Sequence, residues 1–191
     1  MPVNFRQCPD CGSKNTVKIV YGNPSRAVYA KAEAGLIRLG EGSAGPDSPE
    51  FFCSDCEYEW NREQADDAAY SCIERLTASV GRSSGGNYHV EVDFVHPSFT
   101  WRHEEEGVER EMLHKSIREI TSSQFADRLK MVHLLDWDTT YTVPGVSEGT
   151  TWDLEIITGD KTIVKSGCNL FPGEWELFCR EVQLLADRNF V

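Results

Sequence analysis

Four of the seven cysteines stand in two C-x2-C pairs, Cys8-Pro9-Asp10-Cys11 and Cys53-Ser54-Asp55-Cys56. Two residues between cysteines let a tight turn aim both thiolates at one ion. Two such turns complete a tetrahedron of sulfur, the preferred structural site for Zn2+. With all four positions taken by sulfur there is none left for water or substrate, so the ion is expected to be structural rather than catalytic. Iron in a rubredoxin-like site is the chemical rival. Gly12, directly after the first pair, suits the positive φ such a knuckle needs. The other three cysteines lack a C-x2-C partner. Cys72 reads as a small core residue on a helical stripe, and Cys168 and Cys179 have no adjacent base to make either a nucleophile.

Other chemistry is thinner. His89, Glu91 and Asp93 could share one strand face and chelate a second metal or do acid–base work as a hydrolase. The same alternation produces a solvent-facing polar stripe, which is the simpler reading. His89-Val90-Glu91 is not a zinc-deaminase site, which needs Pro-Cys-x-x-Cys downstream. His103-Glu104-Glu105-Glu106 is not His-Glu-x-x-His and reads as a solvated edge or turn. Asp136-Trp137-Asp138 could line a pocket with Tyr141, although Trp137 reads first as a core or interface anchor. The glycine-rich stretch 81–87 lacks the Gly-Lys-[Ser/Thr] ending of a phosphate loop. Ser147 and Ser166 sit in no nucleophile elbow. No catalytic or cofactor-binding residue is assigned.

The elements that must bring the cysteine pairs together are legible. Forty-one residues separate Cys11 from Cys53, against roughly 15–20 in a compact ribbon. The longer loop costs only about 1 kcal/mol or less. Thr16–Val20 predicts a strand. Asn23-Pro24 predicts an N-cap and N1 proline, opening a short helix through Ala27, Val28, Ala30, Lys31 and Ala34 that ends at Gly35. Residues 36–39 return as a second strand, and Phe51-Phe52 and Tyr58 to Trp60 flank the second knuckle as strands. Asn61 with Gln64 forms a capping box for an amphipathic helix through Ala65, Ala68, Ala69, Cys72, Ile73 and Leu76, ending before Gly81.

Residues 81–87 read as a linker or hairpin approach and a domain boundary. Val90, Val92 and Phe94 predict a half-buried strand, with Phe99 and Trp101 as its hairpin partner after His96-Pro97-Ser98. The stretch 109–120 fits either helix or strand. Ser122 or Ser123 can cap a helix carrying Phe125, Leu129, Val132 and Leu135. Trp152, Leu154 and Ile156 turn through Thr158-Gly159-Asp160 into Thr162-Ile163-Val164, a hairpin. Trp175, Phe178, Cys179, Val182, Leu185 and Ala186 mark a C-terminal helix entered through Phe171-Pro172-Gly173. The class is α+β. It comprises an N-terminal four-cysteine zinc ribbon with an inserted short helix over 1–60, a connecting helix over 61–80, and an antiparallel-sheet domain with packed helices over 81–191.

The run Cys8-Pro9-x-Cys11-Gly12-Ser13, Tyr21-Gly22-x-Pro24, Ala32-Glu33-x-Gly35-x-Ile37-x-Leu39-Gly40, Asp47-x-Pro49 and Cys53-x-x-Cys56-x-x-x-Trp60 resembles a family of small, uncharacterised bacterial zinc-ribbon proteins. The resemblance covers about the first 60 residues and implies zinc binding. The chain departs from that pattern at Glu41-Gly42-Ser43, where the family commonly has Gly-Cys-Val. It departs again at Glu57, where the family usually has glycine. Neither change removes a ligand. Trp152-x-Leu154-x-Ile156, Ser166-Gly167-x-Asn169-x-x-Pro172 and Trp175-x-x-Phe178 resemble the end of uncharacterised bacterial α+β domains, which implies no activity.

The 191 residues are 40% hydrophobic and 26% charged, which excludes wholesale disorder and coiled-coil or collagen-like classes. A net charge of -12 opposes a global attraction to nucleic acid or anionic membranes. The charge is uneven: Lys14, Lys18, Arg26, Lys31 and Arg38 against Glu33 make residues 12–40 locally +4, whereas 41–70 is -8. The opening residues show no apolar signal region, and no apolar run approaches the roughly 18 residues of a membrane span. A cytoplasmic location is expected, where paired cysteines hold metal more often than they form disulfides. The expected role is a non-enzymatic, zinc-stabilised adaptor or inhibitor of a protein partner. Nucleic-acid binding through 12–40 and a hydrolase site around His89, Glu91 and Asp93 are the alternatives.

Overall fold

The computed structural model describes residues 3–82, 85–145, 148–159 and 161–191. Ser147 and Asp160, and Ser83 and Ser84 of the 81–87 stretch, lie outside the described residues. The chain divides into two units, Val3–Ala69 and Tyr70–Val191.

In the first unit, β1 (Thr16–Val20), α1 (Arg26–Glu33), β2 (Ile37–Leu39), β3 (Phe51–Cys53) and β4 (Glu59–Trp60) follow in order. The sheet runs β2-β1-β3-β4. Strands β1 and β2 are parallel because α1 carries the chain back to the same end, whereas β1–β3 and β3–β4 are antiparallel. Helix α1 ends as the sequence predicts. Gly35 takes φ 70°, its amide bonds to Ala32 O, and the Leu36 amide bonds to Lys31 O, a Schellman cap. Its start differs: the N-cap is Ser25, not Asn23. The Val28 and Tyr29 amides both bond to Ser25 O, so Pro24 precedes the helix instead of opening it.

Helix α2 (Arg62–Ser71) begins with the expected reciprocal box: the Asn61 amide donates to Gln64 Oε1 and the Gln64 amide to Asn61 Oδ1, each at 2.9 Å. It is shorter than the 61–80 helix expected from the apolar spacing. Ile73 and Leu76 belong instead to β5 (Ile73–Arg82). From Leu76 the buried positions fall every second residue, at Leu76, Ala78 and Val80, which is the strand period. Cys72 lies between the two elements and is exposed, so it is not the core residue expected.

The second unit continues with β6 (Gly86–Asp93), β7 (Ser98–Glu105), β8 (Val108–Ser116), α3 (Glu119–Met131), β9 (Thr140–Thr142), β10 (Thr150–Thr158), β11 (Lys161–Cys168) and α4 (Trp175–Ala186). The seven-stranded order is β8-β7-β6-β5-β10-β11-β9, antiparallel except where β9 joins β11. Strand β5 ends at Arg82 and β6 begins at Gly86, paired antiparallel, and both belong to this one unit. Residues 109–120 hold strand β8 and then the first residues of α3. Because α3 starts at Glu119 with Arg118 as N-cap, Ser122 is buried within it and neither Ser122 nor Ser123 caps it. Val132 is its C-cap, and Leu135 sits in a 3-10 turn, Leu134–Asp136.

Register places Leu76, Val92 and Phe99 side by side on one face. Both long helices cover that face. Phe125 of α3 stacks near Phe94 at 6.4 Å, and Trp175 of α4 meets Trp152 at 4.9 Å. This confirms the α+β class, with helices on one side of a largely antiparallel sheet.

Candidate metal centre

Both knuckles close in the same way. The Gly12 amide bonds to Cys8 O, and the Glu57 amide to Cys53 O. Each closing residue is left-handed, with φ 73° at Gly12 and 62° at Glu57. The sheet supplies the long-range step: β1 pairs with β3 so that Thr16 faces Cys53, and the Ser54 amide bonds to Asn15 O at 2.9 Å.

Four sulfurs therefore converge. Cys8 Sγ lies 3.5 Å from Cys56 Sγ, Cys11 Sγ 3.6 Å from Cys53 Sγ, and all four fall within 4.8 Å of one another. A tetrahedral ion with metal–sulfur bonds of about 2.3 Å needs sulfur separations of about 3.8 Å, which this set brackets. The separations are far beyond the roughly 2.05 Å of a disulfide, and the thiols are free. Cys8, Cys11, Cys53 and Cys56 thus form a group that could hold a metal ion.

Main-chain donors prepare the sulfurs for negative charge. The Ser13 amide donates to Cys11 Sγ, those of Cys56 and Asp55 to Cys53 Sγ, and that of Tyr58 to Cys56 Sγ. Burial alone would push the Cys53 thiol up, but its two amide donors and the neighbouring thiols bring it down to about 7. The Tyr58 amide pulls Cys56 the same way, yet burial and the three crowded thiols together lift it.

Behind the sulfurs is a small apolar core of Cys8, Phe51, Cys53, Trp60 and Ala65. Trp60 is fully buried, stacks on Phe51 at 5.7 Å and donates its indole N–H to Phe5 O at 3.0 Å. At the outside, Asp55 accepts from the Ser13 hydroxyl and from Asn15 Nδ2 at 2.7 Å. Those bonds hold its carboxyl below the usual range, the Ser13 hydroxyl foremost. Nothing in the spacing foretells this contact, although Asp55 lies inside the second C-x2-C loop.

Elsewhere the candidates disperse. His89, Glu91 and Asp93 do share the outer face of β6, yet they do not gather on one ion: His89 turns to Glu104, and Glu91 and Asp93 share Arg75. His89 Nε2 is 3.7 Å from Glu104, Glu91 is 3.6 Å from Arg75, and Asp93 takes both Arg75 at 3.2 Å and the His96 amide at 2.7 Å. Among the described residues, the cysteines are the group of His, Cys, Asp and Glu that converges as a metal site does. Of the run 103–106, Glu105 and Glu106 are exposed at the β7–β8 turn, whereas His103 is half-buried and stacks on Tyr88 at 4.6 Å. Trp137 is a core anchor, edge-on to Phe178 at 5.7 Å, and the Asp138 amide donates to Tyr141 Oη. Burial pushes the Cys179 thiol up to about 12, which leaves it a poor nucleophile.

A buried cation is the feature that motif and spacing do not announce. Lys165 is wholly inaccessible and donates to the carbonyls of Leu135 at 3.0 Å and Trp137. Its one sequence signal is phase: Ile163, Lys165 and Gly167 alternate onto the covered face of β11. Compared with family models and with curated proteins, the chain matches none.

Proposed function

We propose that this protein is a zinc-stabilised, non-enzymatic interaction protein, an adaptor or inhibitor that docks on a protein partner. The observation that carries the reading is α1, which buries none of its residues yet is held at both ends by strands of the first unit. Tyr29 and Leu36 stand 50% and 64% exposed on and just after it. Aromatic and aliphatic side chains presented on a pinned element are what partners anchor on. Cys8, Cys11, Cys53 and Cys56 would hold one structural Zn2+, whose chemistry here is to crosslink the knuckles and offer no open position. Iron is the alternative ion, and metal analysis of the purified chain decides between them.

A cytoplasmic location, where thiols stay reduced, completes this reading. No helix among the described residues is long and apolar enough to cross a membrane. Affinity capture at moderate salt, repeated with Tyr29→Ser and Leu36→Ser, tests the proposal. A partner recovered by the parent chain should be lost by both variants; recovery of none, or of one indifferent to both, would overturn it.

Nucleic-acid binding through 12–40 keeps one observation in its favour. Lys14, Lys18, Arg26 and Lys31 are all exposed, and of the five basic residues there Arg38 has an ion pair, with Glu59 at 3.1 Å. Fluorescence anisotropy with short DNA and RNA decides it: binding that weakens steeply with salt supports this second reading, and its absence ends it.

A further inference from the structure

The covered face of the second unit opens into a cleft at one end of the sheet. Its apolar rows run inward through Val80, Tyr88 and Trp152, which register places beside one another. Two residues further along each strand, on the same face, stand Arg82, Gly86 and Thr150. Gly86, on β6 at one end of that row, brings no side chain to the face, and α4 residues line the space above it. A cavity of about 480 Å3 results, within the roughly 300–1,000 Å3 of sites that take small organic molecules.

The lining has a direction. Tyr88, Phe171 and Trp175 form aromatic walls, with Phe171 and Trp175 rings 5.3 Å apart. Arg82 and Arg180 stand at the cleft from opposite sides, one from the sheet and one from α4. The Arg82 guanidinium is steadied by its Nε bond to Thr150 Oγ1 at 2.8 Å, a contact that leaves its two terminal nitrogens to donate elsewhere. Among the described residues, Arg180 makes a 3.6 Å contact with Glu181, which itself is held by Arg128 at 2.5 Å. Glu176 and the last residue of the sequence, Val191, line the same cleft, so an incoming acid must compete with the carboxylates there for the two cations.

The geometry points to a binding site for a small organic acid: a flat, apolar body between the aromatic walls, with its carboxylate on Arg82 and Arg180. Guanidinium forks match the planar geometry of carboxylates and can bond them bidentately. This site is built from the second unit alone and does not depend on the zinc reading.

Displacement of 8-anilinonaphthalene-1-sulfonate fluorescence from the full chain tests it, with 2-naphthoate as the acid and 2-naphthamide as its neutral isostere. The acid should displace the dye at about tenfold lower concentration than the amide. Arg82→Ala should erase that preference while leaving the amide unchanged. Arg180→Ala, at a position 66% exposed where folding is not at stake, should do the same in part. Equal potency of acid and amide, an acid preference that survives both substitutions, or no displacement at millimolar concentration would each sink the proposal.

Discussion

Asp55 and Ser13 join the two cysteine knuckles from outside: the Asp55 carboxylate accepts a hydrogen bond from the Ser13 hydroxyl, 42 residues earlier in the chain. Asn15 adds a second donor at 2.7 Å. Neither residue belongs to the sulfur set, but together they fix the orientation of one C-x2-C turn against the other. Asp55→Ala should therefore weaken metal affinity about tenfold in competition with a chromophoric chelator, the lower end of what outer residues contribute. Retention equal to the parent chain would show that the sulfurs alone set the geometry.

Removing the metal should undo the first unit. Among the described residues its buried apolar side chains are Ile19 and the cluster Cys8, Phe51, Cys53, Trp60 and Ala65, too little apolar surface to offset the chain entropy of roughly 65 residues. Chelation, or Cys53→Ser, is expected to abolish the near-ultraviolet dichroism of Trp60 and restore solvent quenching of its fluorescence. The strand signal of Tyr70–Val191 should persist, because its sheet is built around a separate core.

Asp93 provides a pH dependence of known sign. The His96 amide at 2.7 Å and then Arg75 hold its carboxyl below the usual carboxylate range. A carboxyl depressed in the folded state contributes stability that is complete above its unfolded pKa of about 3.9 and is lost as pH falls through the folded value. Asp93→Asn should cost about 1 kcal/mol in urea denaturation at pH 7. The gap between the two proteins should close progressively below about pH 4.

Glu57 occupies a position that suits glycine. At φ 62° an L side chain crowds the following carbonyl, at a cost of about 1 kcal/mol. Glu57→Gly should raise the thermal midpoint of the metal-loaded first unit and leave metal stoichiometry at the parent value, as read by calorimetry and metal analysis.

Lys165 tests the interior of the second unit. Its ammonium satisfies two main-chain carbonyls, and burial pushes its pKa down against the pull of Asp136 and Asp138. Lys165→Met keeps the volume but strips both acceptors of their donor. The expected loss is about 2 kcal/mol in urea denaturation at pH 7, whereas an unchanged midpoint would mean that the 3-10 turn at Leu134–Asp136 does not rely on it.

Local chemistry is legible in the order of residues alone. The C-x2-C spacing picks out four sulfurs because two intervening residues suffice to turn a chain back on one ion. Asn61 and Gln64 announce α2 because a capping box involves only neighbours. The hairpins around Val90–Phe94 and Trp152–Ile156 follow from alternation, which reports directly which face is covered. What misleads is a pattern both periods can satisfy: Ile73 and Leu76 continue the α2 stripe as readily as they begin a strand. Pairing with β6 on one side and β10 on the other decides for β5, since it satisfies both rows of backbone groups at once.

The sequence by itself therefore determined the converging cysteines, the α+β class and most element positions, all set by covalent spacing and side-chain period. Only the tertiary structure decided what lies beyond that range. It set Asp55 against Ser13, buried Lys165 on the carbonyls of Leu135 and Trp137, dispersed His89, Glu91 and Asp93, and brought Arg82 and Arg180 to one cleft. Each depends on strand register and helix docking, where apolar burial summed over many residues chooses which distant groups meet.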